Sequence, residues 1–441
     1  MTNTLALGQA YGLAEVRDSK GVSLYKNISL ALVFMSSPSL LVDKILDVTI
    51  HNLSIGNGLI FLNLLWLAGI SMRTTSLSRL QKAIFTYFLL IIFFFVAVWI
   101  ALYGLNLTGS GPRGMIRTFF HGLCFFVILN DPRFDMRRFN RFMIKFALCL
   151  AVLSLILYYG CLFGKITLRA VHPSGYGHNQ IYLEGFGGYL NTYDNLSRYG
   201  FLFRSQSYFS EPTNFAQFLI VPLFLAWETL RRNKHGKNVL TFGLLVFAFV
   251  LTFSVANFFG AFVALVAYFV LRKGKSTTTS FRIRVVVFNL LMLLTIAYFL
   301  HDFYLTTEKK HLTTSVIARG TTENIINRKE RFETAMSVLK YSLFGDLRFR
   351  EQFTANPGLL GGTIIDGGVI VCGLLILLLA QLFTAIFRRF RRSEYLLIYM
   401  GSLAYFVAFF WDGQLHENYF LFFIALYTTY IKLDKDGVAL L

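Results

Sequence analysis

Apolar residues recur along this chain in runs of about 17–25 positions, each bounded by a short polar or basic stretch. A helical run of that length matches the hydrocarbon core of a bilayer. The pattern therefore predicts an all-α polytopic integral membrane protein, a single transmembrane domain over residues 1–441 with about twelve transmembrane helices. The predicted spans are 28–46, 57–72, 83–104, 115–129, 142–163, 209–228, 239–254, 257–271, 285–301, 360–386, 395–411 and 416–431.

The region 239–271 admits two interpretations, because its apolar residues continue with little interruption. It can form one long bent helix or two spans joined by a turn. Ser254, Asn257 and Gly260 favour the turn, since small and polar residues punctuate helices.

Basic residues support the order of the spans. If the N-terminus is cytoplasmic, 26 of the 42 lysines and arginines fall in alternate short loops and at the two termini. This is the positive-inside distribution of membrane proteins. Most of the basic excess behind the net charge of +19 is thus explained by topology. Because no DNA- or RNA-binding motif accompanies it, we expect no nucleic-acid partner.

Composition changes this picture little. The chain is 55% hydrophobic and 15% charged, whereas soluble domains carry about a quarter charged residues. The four cysteines lie in or beside apolar runs, without metal-ligand spacing, and are predicted to be small apolar side chains of the interior. No cofactor, no metal and no cleaved signal peptide are predicted.

Two long loops on the outward side, 164–208 and 302–359, hold 13 of the other 16 basic residues. Loops of this length are usually functional or disordered, and neither has a disordered composition. The first is rich in Tyr and Gly, which suits stacking on sugar rings and tight turns. The second contains an amphipathic helix, 322–345, with Arg328 on the flank of its apolar face. Its basic residues could instead bind lipid headgroups.

The stretch "RSQSYFSEPTNFAQF" leads directly into the sixth span. Ser210 is predicted as the N-cap, Glu211 as a first-turn residue and Pro212 as a residue whose missing N–H is harmless there. Capping leaves Arg204 unexplained. Ionisable groups at a membrane edge are costly and indicate a functional site.

Other ionisable residues collect on the same outward side. They are Asp366, Asp412, His416 and Glu417, with Arg204, Glu211, Arg319 and Arg328 from the loops. Charge-paired caps on helix ends are the alternative for Asp412 and Glu417. No phosphate-binding loop, dinucleotide fingerprint, zinc signature or nucleophile elbow is present. Arginines beside carboxylates suit a lipid-linked sugar pyrophosphate, because guanidiniums bind that anion bidentately and a carboxylate can deprotonate an acceptor hydroxyl.

Three short motifs over about residues 80–430 resemble the bacterial O-antigen polymerase and O-antigen ligase superfamily. The first is Arg204, Phe209, Glu211, Pro212, Phe215 and Ala216; the second is Arg328, Phe332, Phe344 and Gly345; the third is Asn356, Leu359, Gly367, Gly368 and Gly373. Two positions depart from the pattern. Leu347 replaces a glycine, and Ala355 replaces the histidine that ligases carry, which favours a polymerase.

The resemblance implies a membrane glycosyltransferase of the GT-C type in the bacterial inner membrane, with two periplasmic loops and cytoplasmic termini. It would need no metal and act on undecaprenyl-pyrophosphate-linked oligosaccharide, and a chain-length regulator protein is a candidate partner. Arg204 and Arg328 are the residues expected to bind pyrophosphate, and Glu211 or Asp366 the acid at the acceptor. Further candidate substrate-binding residues are Arg198, Arg319, Arg331, Asn356, His311 and His416.

Two other functions stay open. An O-antigen ligase would transfer the glycan to lipid A core, with His311 or His416 in the role of the missing histidine. A flippase of lipid-linked oligosaccharide would show an internal repeat and charged residues near the bilayer midplane. We find neither feature in the sequence.

Overall fold

The computed structural model describes residues 20–36, 49–50, 53–103, 110–166, 169–171, 180–185, 188–193, 204–209, 211–271, 337, 342–345, 358–390, 393–412 and 418–441. This part of the chain is mostly helical. Its helices are α1 Lys20–Ser36, α2 Ile55–Met72, α3 Arg79–Tyr103, α4 Ser110–Leu129, α5 Met136–Leu162, α6 Pro212–Arg232, α7 Gly236–Val250, α8 Val255–Leu271, α9 Gly358–Phe390, α10 Leu396–Asp412 and α11 Asn418–Lys435. Its strands are β1 Thr49–Ile50, β2 Leu53–Ser54, β3 Arg169–Val171, β4 Gln180–Gly185, β5 Gly188–Tyr193 and β6 Arg204–Ser207.

Three helical stretches of the described chain are, by length and composition, long and apolar enough to cross a membrane: Arg79–Val98, Met136–Leu162 and Leu359–Arg389, the last of which is interrupted at Gly368. Shorter apolar helices accompany them, including Gly236–Val250 and Leu396–Phe410. These helices characterise a mostly helical, membrane-embedded protein. The number of crossings stays a prediction, and the ninth predicted span, 285–301, lies outside the described residues.

The first long loop adds a small sheet to this mostly helical protein, which the sequence did not predict. Strands β3, β4, β5 and β6 form an antiparallel sheet in that order, and β4 and β5 pair from Gln180 with Tyr193 to Gly185 with Gly188. Strands β1 and β2 form a second, two-stranded sheet.

The structure also decides two predictions about helices. The region 239–271 is two helices, α7 and α8, and the first helix begins at Lys20 rather than at residue 28.

Polar contacts tie the helices together at one end of the bundle, which we call the basic end because Arg133, Arg231, Arg389 and Lys432 lie there. Glu228 is fully buried and accepts from Arg231 and Arg232 at 2.5 and 2.7 Å. Three helices meet where Gln81 of α3 donates to Asn130, which follows α4, and Asn130 donates to Thr429 of α11. Leu440 is bound at the same end, because the side chain of Asn140 donates to its carbonyl at 2.8 Å.

A buried ion pair explains why α1 begins before its apolar run. Lys26 is 1% exposed and donates to Asp131 at 3.1 Å, and Arg133 donates to the same carboxylate at 3.0 Å. Burial alone raises the pKa of the Asp131 carboxyl, but hydrogen bonds from Arg133 and the charge and hydrogen bond of Lys26 outweigh it and hold the pKa below its usual range. The lysine is thus paired inside the bundle, so its polarity does not end the helix.

The opposite end carries the four-stranded sheet, and we call it the sheet end. The N–H of Ser205 in β6 donates to the carbonyl of Leu251, the residue after α7, at 2.9 Å. The hydroxyl of Ser205 contacts the hydroxyl of Ser154 on α5. Leu190 of β5 is buried with Leu157 and Tyr158 of the same helix. The sheet is therefore packed on helix ends.

Helix α9 is broken at Gly368, which has a left-handed φ of 69° and ψ of −161°. Leu359 and Phe383 line one apolar cavity of about 260 Å³. In an unbroken helix these residues would lie about 36 Å apart at 1.5 Å per residue. The stretch 358–367 therefore folds back along 369–390.

The segment 342–345 fills the break. The carbonyl of Leu343 accepts from the N–H of Val369 at 3.0 Å, a donor left open where the second half of α9 begins. Gly345 has a φ of 83°, and an added Cβ would lie 2.6 Å from the carbonyl oxygen of Ile365. The two backbones touch because glycine stands on both sides of the contact.

Replacing Gly368 should destabilise the protein. In Gly368→Ala the new Cβ would lie 2.1 Å from the Leu343 oxygen, at a φ that costs L-residues about 1–3 kcal/mol even without a clash. Gly373→Ala is the matched control on the same helix, because its Cβ would meet no heavy atom within 4 Å. Denaturation of the detergent-purified variants should show a loss for Gly368→Ala alone. Equal stability of the two variants would contradict the close contact between Gly368 and Leu343 where α9 is interrupted.

Breaking the buried ion pair should cost far more than breaking an exposed one. Asp131→Asn should lower the free energy of unfolding by about 3–5 kcal/mol, because it removes the carboxylate that Lys26 and Arg133 share. Lys26→Met should cost less, because Asp131 keeps its bonds from Arg133. The double variant should recover part of the loss in a double-mutant cycle. Arg138→Met, which breaks the partly exposed Arg138–Asp135 pair, should cost less than about 1 kcal/mol.

The same ion pair predicts a pH dependence. The pKa of Asp131 is lowered in the folded state, so its contribution is complete above the ordinary carboxyl value of about 3.9. It should be lost as the pH falls below that value. The stability difference between the wild type and Asp131→Asn, measured from neutral to acid pH, should shrink only below about pH 4.

Candidate functional site at the sheet end

Arg204, the first residue of β6, is anchored to the turn between α7 and α8. Its Nε donates to the carbonyl of Thr252 at 3.1 Å, and its Nη2 reaches the carbonyl of Phe253 at 3.4 Å. Phe253 has a left-handed φ of 46°, which is costly for an aromatic residue. Arg204 therefore has a structural role that the sequence did not reveal: it holds a strained turn.

Glu211 begins α6 as its N-cap, so the prediction of Ser210 as the cap and Glu211 in the first turn is wrong. The residue before a proline avoids the helical region, and Glu211 precedes Pro212 with φ −144° and ψ 151°. Its carbonyl accepts from the N–H groups of Asn214 and Phe215. Its side chain makes no capping hydrogen bond to the helix. The carboxylate is half-buried beside the helix start, where negative charge suits the helix dipole.

Asp366 lies two residues before the break in α9 and is 8% exposed. The residues around it, Ile365 to Gly368, are those that contact the segment 342–345. The structure thus brings together two of the motifs that carried the resemblance. Phe344 and Gly345 of the second motif touch Gly367 and Gly368 of the third.

Arg204, Glu211 and Asp366 all lie far from the basic end. Glu211 and Arg232 mark the two ends of α6, about 30 Å apart at 1.5 Å per residue. Gly368 and Arg389 are separated by a similar length of α9. That distance equals the thickness of a bilayer's hydrocarbon core. The three side chains therefore share one end of the bundle.

Most other predicted site residues lie outside the described part of the chain. These are Arg198, His311, Arg319, Arg328, Arg331, Asn356 and His416, with most of the amphipathic helix 322–345. Their roles stay predictions. All four cysteines are free; Cys124 and Cys372 are buried, Cys161 is partly exposed and Cys149 is exposed. Within the described residues no group of three or more His, Cys, Asp and Glu could hold a metal ion.

Four uncharged polar residues near Arg204 were missed from the sequence. Gln206, Ser207, Gln217 and Asn257 are at most 2% exposed, yet each has a side-chain atom without a hydrogen-bond partner in the described structure. The available signal was a polar residue within an apolar run, as in "FAQF" and "SVANFF". Such residues are usually paired when buried.

The guanidinium in this arrangement can bind an anion. The carboxylates can accept a proton from an uncharged group, such as a hydroxyl, beside that anion. Arg204 has a planar guanidinium, a geometry that matches phosphate oxygens, although its Nε and Nη2 already donate to Thr252 and Phe253. Glu211 and Asp366 are carboxylates able to accept a proton.

Comparison with protein-family models, with curated proteins and with solved structures finds no match to this chain. The fold and the described site define a membrane-embedded helical protein with an arginine and two carboxylates at the end away from its basic residues.

Removing the Arg204 anchor should destabilise the turn between α7 and α8. Arg204→Met removes two hydrogen bonds from a charged donor and should lower the free energy of unfolding by about 1.5–3 kcal/mol. Arg141→Met is the control, because Arg141 makes an exposed contact to the carbonyl of Arg137 at 3.4 Å. It should change stability by less than about 0.5 kcal/mol. An equal effect of both changes, measured by denaturation in detergent, would exclude the structural role.

Proposed function

We propose that this protein is an O-antigen or surface polysaccharide polymerase of the bacterial inner membrane. It transfers a growing glycan from undecaprenyl pyrophosphate to the next lipid-linked repeat unit at the periplasmic face. The observation that carries the proposal is the placement of Arg204, Glu211 and Asp366 at one end of the bundle, about one bilayer thickness from the basic end.

The basic end would face the cytoplasm with both termini, following the positive-inside rule. The sheet end would then face the periplasm, where lipid-linked oligosaccharide is polymerised in such systems. Because the arginine and the carboxylates lie at that end, they would meet the pyrophosphate and the sugars rather than the lipid tails.

The reaction would need the charges in the following way. A hydroxyl of the acceptor repeat unit attacks the anomeric carbon of the donor glycan, and the bond from that carbon to the pyrophosphate oxygen breaks. The electron pair leaves with the pyrophosphate, whose growing charge Arg204 and Arg328 stabilise. The hydroxyl proton passes to Glu211 or Asp366. The chemistry as written requires no cofactor.

Replacing the arginines in the native host tests this function. Arg204→Lys and Arg328→Lys keep the charge but lose the planar donors, so the amount of long-chain polysaccharide should fall about 10²–10³-fold on a gel. Arg141→Lys at the basic end is the control and should leave the ladder intact. Membrane abundance of each variant must be measured, because Arg204 also anchors a turn.

The gel separates the alternatives. Loss of long chains with single repeat units still attached supports a polymerase. Loss of all attached glycan indicates a ligase or a flippase. An unchanged ladder for both arginine variants would overturn the proposal.

A further inference from the structure

Five of the ten buried side-chain atoms without a hydrogen-bond partner in the described structure belong to β6, the first part of α6 and the start of α8. Within the described structure, neither amide atom of Gln206 has a hydrogen-bond partner. The same holds for the hydroxyl of Ser207, Oε1 of Gln217 and Oδ1 of Asn257. Gln206, Ser207 and Asn257 are fully buried, and Gln217 is 2% exposed. Each buried group left unsatisfied costs a folded protein roughly 1–3 kcal/mol. Such a concentration calls for a partner outside the chain.

Gln206 follows Arg204 by two residues in β6 and lies in a bulge of that strand. Ser205 pairs with Leu190 and Ser207 with Tyr189, so Gln206 is the extra residue, and Ser207 has a left-handed φ of 52°. Arg204 reaches Thr252 and Phe253, whereas Ser205 contacts Ser154 on α5. A bulge takes residues out of the ladder and re-aims their side chains, and the two orphaned residues of β6 are Gln206 and Ser207.

Asn257 extends the same region from α8 to α6. Its Nδ2 donates to Ser254 Oγ at 2.8 Å and to the carbonyl of Thr213 at 3.2 Å, which leaves Oδ1 as the orphaned atom. Gln217 lies one helical turn after Thr213 and shares its face of α6. The two orphaned amide oxygens thus border the same side of that helix.

These groups suit an uncharged ligand. Amides and a hydroxyl donate and accept hydrogen bonds but bring no net charge, so they cannot compensate a buried ion. Arg204 at the edge of the region supplies the positive charge for an anion. A sugar attached to pyrophosphate has both parts, an anionic group and neighbouring hydroxyl or acetamido groups.

We propose that Gln206, Gln217 and Asn257 form an amide subsite that hydrogen-bonds an uncharged hydroxyl or acetamido group of the lipid-linked glycan, next to the pyrophosphate held by Arg204. This rests on the proposed function. The same hydrogen bonds could be met by ordered water, and the test below separates the two sources.

The test replaces the orphaned glutamines with methionine, which has a similar length and no hydrogen-bonding amide. Gln206→Met and Gln217→Met should leave the apparent melting temperature of the purified protein unchanged or higher, because they remove unsatisfied buried atoms. In the native host, both should lower long-chain polysaccharide roughly tenfold or more. Gln81→Met is the matched control. Gln81 is equally buried, but its amide is bonded to Asn130, Thr429 and the N–H of Ser78, so its loss should lower the melting temperature.

Retained stability with lost elongation supports the amide subsite. A melting temperature that falls as in Gln81→Met would overturn it, because the amides would then be satisfied within the fold through structural water. Unchanged elongation with retained stability would also overturn it. The proposed function stands or falls separately, on the Arg204 and Arg328 variants.

Discussion

The arrangement of the sheet end depends on how strand β6 is fastened to the turn between α7 and α8. The backbone of Ser205 pairs with Leu251, and the guanidinium of Arg204 closes over the carbonyls of Thr252 and Phe253. A buried carbonyl without a partner is costly in an apolar bundle, so these bonds are strongly favoured. They hold the four-stranded sheet on the helix ends and fix Arg204, which precedes Glu211 at the start of α6 by seven residues in the sequence.

At the basic end, too, buried polar groups need partners, but there the groups are charged side chains. Asp131 is buried and accepts from both Lys26 and Arg133, and Glu228 accepts from two arginines. Each of these carboxylates has more than one donor, which compensates for the cost of burying it. The result is a bundle with paired charges at the basic end. Uncharged side chains without a hydrogen-bond partner occur at the sheet end, in Gln206 and Ser207, and also near the basic end, in Asn27 and Ser71.

The broken helix α9 supplies the third constraint at the sheet end. An α-helix interrupted inside an apolar bundle exposes N–H and C=O groups, and the segment 342–345 satisfies one of them through Leu343 and Val369. This contact requires glycine at Gly345 and Gly368, since both have positive φ and a Cβ at either would strike backbone. Asp366 is positioned by that contact, although it belongs to a different part of the chain from Arg204.

By itself, the sequence determined the apolar helices, the two-helix nature of 239–271 and the separation of basic residues from the candidate carboxylates. These follow from local hydropathy and turn residues, which act over one or two helical turns. The sheet of the first long loop was missed although its strands pair in chain order and β4 and β5 are separated by only two residues, because its Tyr- and Gly-rich composition was interpreted only as stacking surfaces and tight turns. The early start of α1 was likewise hidden, since Lys26 is tolerated only through Asp131, 105 residues away. Glu211 as N-cap was predictable from Pro212, but the anchoring of Arg204 and the fold-back of α9 were not. Both depend on long-range backbone contacts, which a local pattern of side chains does not encode.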